Sequence, residues 1–168
     1  MSRTVIPLDY SPDHAAAIGR LLGHWAILES HLEFLLGMLL NIDLYRASFI
    51  YQEFVSTNSK IILLRRLNHF FVIDQELKNK LDKLLNQTRI LNEKRNAFVH
   101  AIWASGPDNK INRMRTTMPG NHKKRFRASE EFTPQDIQNI VEEIAELSAS
   151  LLQLITRNPI TLTRQPQE

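Results

Sequence analysis

One stretch of the chain decides its fold class: residues 11–41, SPDHAAAIGRLLGHWAILESHLEFLLGMLLN. Ser11 is a good N-cap residue, Pro12 suits the first helical position, and Asp13 suits the positive end of a helix dipole. Apolar residues then recur at steps of three and four, at Ile18, Leu21, Trp25, Leu28, Leu32, Leu35 and Leu39. This spacing predicts a long helix with one buried face, ending near Asn41.

Three further segments continue this helical pattern. The region from about Leu44 to Phe71 reads as helical, with a break near Ser56-Thr57-Asn58, whose short polar side chains compete for backbone hydrogen bonds. Asp74 is a suitable cap for a third helix that we expect to reach about Ala104. Thr133-Pro134-Gln135-Asp136 opens the last helix as a variant of the capping box. The sequence therefore predicts an all-α, up-and-down bundle of four to five helices.

The composition is that of one globular domain without thiol chemistry. A length of 168 residues suits a single domain over 1–158, followed by a flexible tail over 159–168. The chain has no cysteine, which excludes disulfides and thiolate ligands and fits a cytoplasmic protein. The N-terminus has no apolar segment of the secretory type, and the longest apolar run, 34–40, is far below the roughly 20 residues that cross a bilayer. We therefore expect a soluble protein.

A basic insertion at 105–130, before the last helix, carries the strongest charge asymmetry. Turn signals at Gly106-Pro107 and Pro119-Gly120 surround a candidate strand, 111–118, so the segment is predicted to be a basic loop or short β-hairpin. Seven of its residues are basic, and Asp108 is the one acidic residue among them: Lys110, Arg113, Arg115, Lys123, Lys124, Arg125 and Arg127. They indicate a contact with a polyanion or, alternatively, a solvated loop kept soluble by its charge.

Two charged residues interrupt the apolar stripes. Glu29 is in line with Leu22 and Leu36 at a spacing of seven, and Arg95 occupies a position that the helical period assigns to the interior. A lone buried charge is costly, so such residues are usually paired. We expect a Glu29–Arg95 pair between helices, although the spacing identifies a face and leaves the partner open.

The residues from Arg95 to His100 carry the most chemistry: Arg95-Asn96-Ala97-Phe98-Val99-His100. Asn96 and His100 are four apart and hence neighbours on a helix face, with Trp103 three residues further along. His100 is about 140° from Arg95 around the helix, so Arg95 is expected to lean inward while Asn96, His100 and Trp103 face outward. An outward tryptophan suggests a covering partner, for which a second copy of the chain is the simplest choice.

This run resembles the Arg-polar-x-x-x-His signature of HEPN domains, helical bundles found in RNA-directed defence systems and toxin–antitoxin pairs. The resemblance implies a metal-independent endoribonuclease without cofactor, acting on RNA as a homodimer with both motifs facing one cleft. It further implies a toxin or phage-defence role, with an antitoxin or nucleotidyltransferase as a possible partner. Some toxin members carry a tyrosine after the histidine that such a transferase modifies; the aromatic residue here is Trp103, which makes that regulation doubtful.

The resemblance also implies a role for each residue of the motif. His100 is the general base that removes the ribose 2′-hydroxyl proton, or the acid that protonates the leaving 5′-oxygen. Arg95 holds the scissile phosphate, and Asn96 orients His100 or binds the phosphate. We expect Glu29, Trp103 and the seven basic residues of the insertion to contribute to substrate binding, with Trp103 or Phe126 available for base stacking.

Two other functions fit the same residues. In a non-catalytic helical module that binds RNA or a protein, Glu29 and Arg95 would be a buried pair and His100 incidental. In a DNA-binding protein, the insertion would bind and Arg95 would not matter. Metal ligation is not indicated, because no Glu is followed three residues later by His and no two His are four apart. The other histidines are expected to be structural or on the surface.

Overall fold

The computed structural model describes residues 11–100, 102–105, 111–114 and 130–157, with side chains for 11–100 and 132–157. The described residues form five helices: α1 (Pro12–Leu40), α2 (Leu44–Gln52), α3 (Thr57–Phe71), α4 (Gln75–Val99) and α5 (Pro134–Arg157). The predicted all-α bundle is confirmed. No single helix in this part of the chain is long and apolar enough to cross a membrane, although α1 and α2, bent by 113° at their junction, pass that test together by length and composition.

Three short strands precede α5: β1 (Ile102–Ser105), β2 (Ile111–Met114) and β3 (Glu130–Glu131). They pair antiparallel in the order β1-β2-β3, with Trp103 opposite Arg113 and Arg113 opposite Glu130. Residues 106–110 and 115–129 of the basic insertion lie outside the described residues. The hairpin as a whole therefore stays a prediction.

Helix α1 ends where the sequence predicts. Asn41 follows its last residue with φ 55°, the left-handed conformation that closes many helices. The backbone N–H of Ile42 donates to the Gly37 carbonyl at 3.0 Å, and that of Asn41 donates to the Met38 carbonyl at 3.2 Å. These bonds satisfy two carbonyls that the helix itself leaves open.

The predicted N-caps are confirmed. Asp74 Oδ1 accepts a hydrogen bond from the Leu77 N–H at 2.9 Å, and Ser56 Oγ accepts from the Ser59 N–H at 3.1 Å, so the polar break does separate α2 from α3. At α5 the capping is reciprocal. The Thr133 N–H donates to Asp136 Oδ2 at 2.8 Å, and the Asp136 N–H donates to Thr133 Oγ1 at 3.2 Å.

The expected C-terminal limit of the third helix is wrong. Helix α4 ends at Val99, with the His100 N–H still donating to the Asn96 carbonyl at 3.2 Å, and the chain then enters β1 instead of continuing to about Ala104. β-branched Ile102 and aromatic Trp103 favour an extended backbone that pairs with β2. Trp103 is consequently not on a helical face with Asn96 and His100.

The described residues divide into two compact units. The first comprises those within Met1–Gly23 and Glu93–Glu142, and the second those within His24–Asn92 and Glu143–Glu168. Helices α1, α4 and α5 each contribute residues to both units. The single domain over 1–158 stays a prediction, and the tail 159–168 lies outside the described residues.

The apolar stripes of the long helices form the cores. Every predicted stripe position of α1 is buried, and so are those predicted for α5: Ile137, Ile140, Val141, Ile144, Leu147, Leu151 and Ile155. The expectation for α2 is wrong, because Leu44 and Ile50 are 56% and 38% exposed. This short helix instead buries Ala47 and Tyr51, which are four residues apart and therefore share its inner face.

Candidate active site

Phe98 anchors the last turn of α4 within the first unit. Its side chain is buried, and its ring meets the ring of Phe132 edge-on, with centroids 4.9 Å apart. The carbonyl of Phe132 accepts a hydrogen bond from His14 Nε2 at 2.9 Å, while His14 Nδ1 lies 2.7 Å from Ser11 Oγ. Because a carbonyl only accepts, Nε2 carries the proton and Nδ1 accepts from the serine hydroxyl. The start of α1, the end of α4 and the residues before α5 are thereby tied together.

The buried Phe98 ring sets the direction of its neighbours on α4. Asn96 and His100 are two residues away on either side, about 200° around the helix, so they point away from that ring. His100 is exposed and Asn96 is half-buried. Arg95, three residues before Phe98 and about 60° from it, is also half-buried. One aromatic anchor thus presents the histidine to solvent and keeps the guanidinium closer to the core.

Asn96 links the other two residues of the motif. Arg95 Nη1 donates to Asn96 Oδ1 at 2.8 Å, and the Asn96 carbonyl accepts the backbone N–H of His100. Since Oδ1 already accepts from Arg95, the amide nitrogen is the group that Asn96 offers to a ligand. The end of α4 therefore carries a guanidinium, an amide donor and an imidazole within about one turn. Such groups bind a phosphate and move protons beside it.

Glu29 belongs to the second unit, where its described partner is Lys60. Glu29 Oε1 lies 3.9 Å from Lys60 Nζ, and that ammonium lies 4.1 Å above the centre of the Tyr51 ring. Lys60, near the start of α3, was not singled out from the sequence, because helical spacing does not reveal which residue of another helix will face a carboxylate. Arg95 belongs to the other unit, and the Glu29–Arg95 pair stays a prediction.

Tyr51 makes this group of side chains unusual. Its ring and hydroxyl are buried, which raises the pKa of the hydroxyl far above its ordinary value, and the carboxylates of Glu29 and Glu33 raise that pKa further. The hydroxyl is therefore protonated at all ordinary pH. Among the described residues, neither the Tyr51 hydroxyl nor Glu33 Oε1 has a hydrogen-bond partner. A buried aromatic spaced four residues from Ala47 was the only sign of Tyr51 in the sequence.

The remaining predicted binding residues fall largely outside the described part. Six of the basic residues lie there: Lys110, Arg115, Lys123, Lys124, Arg125 and Arg127. Trp103 and Arg113 are described in their backbone alone, as a cross-strand pair of β1 and β2. Among the described residues, no three His, Asp or Glu side chains come together as a metal site would require. His31 is bound to Ser148, Nδ1 to Oγ at 2.8 Å, and ties α1 to α5 within the second unit.

Comparison with known proteins does not assign this arrangement to a family. No family model, no curated protein and no solved structure matches the chain. The function has therefore to be inferred from the residues at the end of α4.

Proposed function

We propose that the chain is a metal-independent endoribonuclease that acts on RNA as a homodimer, with Arg95, Asn96 and His100 in its active site. The observation that supports this most is the Arg95–Asn96 hydrogen bond at the end of α4, next to an exposed His100. We further propose, from the resemblance of the motif, a cytoplasmic toxin or phage-defence effector.

The proposed reaction is an internal transfer at one phosphate of the RNA. The ribose 2′-oxygen attacks phosphorus and loses its proton to a base, while the bond from phosphorus to the 5′-oxygen breaks and that oxygen takes a proton from an acid. The products are a 2′,3′-cyclic phosphate and a 5′-hydroxyl. An imidazole suits both proton transfers because its ordinary pKa lies near neutral pH. In a dimer with both motifs facing one cleft, His100 removes one proton and the partner subunit's His100 supplies the other.

Arg95 stabilises the charge that develops on the non-bridging phosphate oxygens. A guanidinium donates two parallel hydrogen bonds to such oxygens, and a group already oriented by the protein loses less freedom on binding. The bond to Asn96 Oδ1 provides that orientation, while packing of Phe98 against Phe132 fixes the backbone from which both side chains extend.

The test compares wild type with His100→Ala on end-labelled RNA that has single-stranded loops, in EDTA, with fragments resolved on a gel. His69→Ala is the matched control, because His69 is an exposed histidine on α3, in the other unit. We expect wild type and His69→Ala to cleave alike and His100→Ala to lose a factor of about 10² to 10⁴. A His100→Ala variant that cleaves like wild type contradicts the proposal.

A second pair of variants separates positioning from charge. Arg95→Lys keeps the positive charge and loses the planar fork, so we expect it to lower the maximal rate; Arg95→Ala should lower it further. If wild type is folded and binds RNA or a protein but cleaves nothing, the non-catalytic module replaces the ribonuclease. If a chain lacking 108–127 loses DNA binding while Arg95→Ala keeps it, the DNA-binding function replaces both.

A further inference from the structure

The second unit has a groove between α4 and α5 that no residue of the proposed active site lines. Two cavities of about 250 and 350 Å³ share Gln87 and Ser150 and so form one continuous depression. On α4 it extends from Lys80 to Leu91, about 16 Å at 1.5 Å per residue. A depression of this length matches about three turns of a helix laid along it.

The two ends of the groove carry opposite charge. Lys80 and Lys83 of α4 line one cavity, which has no acidic residue in its lining, while Glu143 and Glu146 of α5 line the other, which has no basic one. All four side chains are exposed. Lys80 also pairs with Glu76 at 2.5 Å, one turn outside the groove, but an ion pair this exposed contributes little and can exchange.

The middle and floor of the groove are suited to close packing. Its floor is apolar, formed by Leu84, Leu91, Leu147 and Leu154. Ile90 at the acidic end is 41% exposed. At the midpoint Ser150 is small enough for another helix to approach closely, and Gln87 provides both a donor and an acceptor.

We propose that this groove binds a second copy of the chain through a twofold axis that passes between Gln87 and Ser150. Such an axis turns the partner's groove end for end, which places the acidic end of each copy over the basic end of the other. A copy docked in the same direction would oppose like charges, which is strongly disfavoured. Twofold interfaces are isologous, so one self-complementary surface is sufficient to form the dimer.

The inference rests on the proposed function for its expectation of a homodimer and adds the surface that forms it. Each contact is made twice in an isologous interface, so a change in one pair of residues acts at both ends. A helix of another protein with the same charge order would also fit the groove. Charge reversal in this chain distinguishes that occupant from a second copy.

The test measures the mass of the full chain in solution by analytical ultracentrifugation, without RNA. Two variants are compared with wild type: Lys80→Glu with Lys83→Glu, and Glu143→Lys with Glu146→Lys. Each variant alone places like charges at both ends, so we expect its dimer dissociation constant to rise by about 100-fold or more. Arg66→Glu, at an exposed position of α3 outside the groove lining, is the control that should dimerise like wild type.

Mixing the two variants gives the sharper result. One chain then has only acidic ends and the other only basic ends, so the mixture should form a heterodimer about as tightly as wild type. Misfolding cannot produce this rescue. A monomeric wild type, variants that dimerise normally, or a mixture that stays monomeric would each overturn the proposal. RNA cleavage is assayed separately, so an intact dimer without cleavage counts against the ribonuclease alone.

Discussion

Replacing Tyr51 by Phe should make the protein more stable, although it removes a polar atom from a buried site. The ring of Tyr51 is packed in the second unit and receives the Lys60 ammonium at 4.1 Å from its centre. Phenylalanine keeps both the packing and that cation–π contact. The substitution therefore isolates the hydroxyl, which has no hydrogen-bond partner among the described residues.

The expected magnitude follows from the desolvation of that hydroxyl. A buried polar group without a partner costs about 1–3 kcal/mol relative to its hydrated state. Removing it should raise the free energy of unfolding by about 1 kcal/mol, and Tm by about 2–4 °C for a chain of this size. Because the pKa of Tyr51 is raised above its ordinary value, the residue is neutral in folded and unfolded chains at neutral pH, and the gain should not depend on pH there.

The assay is urea unfolding followed by circular dichroism at equal protein concentration. Tyr45→Phe is the matched control, because Tyr45 lies on the same helix and is 73% exposed. We expect the control to stay within about 0.5 kcal/mol of wild type, as surface substitutions usually do. If Tyr51→Phe instead loses about 1 kcal/mol or more, the hydroxyl has a partner in solution and the reasoning is refuted.

Three further predictions concern other elements. Phe98→Ala should cost about 3–5 kcal/mol, because it removes a buried ring that packs on Phe132; Phe98→Leu should cost clearly less in the same urea experiment, and equal losses would argue against this packing. Asn41→Ala should cost about 1 kcal/mol because the residue has a positive φ, whereas Asn41→Gly should cost nothing; equal effects in thermal unfolding would contradict the left-handed cap. The hydrogen bonds from Thr133 lower the pKa of Asp136 from 3.8, so its contribution to stability is present above that pH and is lost as pH falls through the lower folded-state value. Asp136→Ala should accordingly lower Tm at pH 7, with a difference that disappears in acid; a difference that is constant with pH would show that the charge is not involved.

The long helices were predictable because their signals are local and repeated. The stripe of α1 from Ile18 to Leu39 is buried throughout, and its C-terminal Asn adopts the conformation that the residue type favours. The caps at Asp74 and Thr133 depend on residues within three positions of each other. The end of α4 was missed because tertiary pairing of Ile102 with Met114, in another strand, decides it.

The candidate site was predictable only in its local part. Arg95, Asn96 and His100 share about one turn, so sequence spacing fixes their directions once α4 has formed. Their support could not be predicted, because Phe132 is far away in the chain from Phe98. In the second unit the Lys60 partner of Glu29 was missed for the same reason. A periodic pattern reveals which face of a helix is buried, and the fold decides what lies against it.

The measurement that tests the ribonuclease most directly uses two RNA oligonucleotides in EDTA. One is entirely ribose, and the other has a single 2′-deoxyribose at the cleaved nucleotide; products are identified by mass. We predict that wild type cleaves the first to a 2′,3′-cyclic phosphate and a 5′-hydroxyl, and does not cleave the second at that position. Cleavage of the deoxy substrate there, 5′-phosphate products, or no cleavage of the ribose substrate would contradict the account.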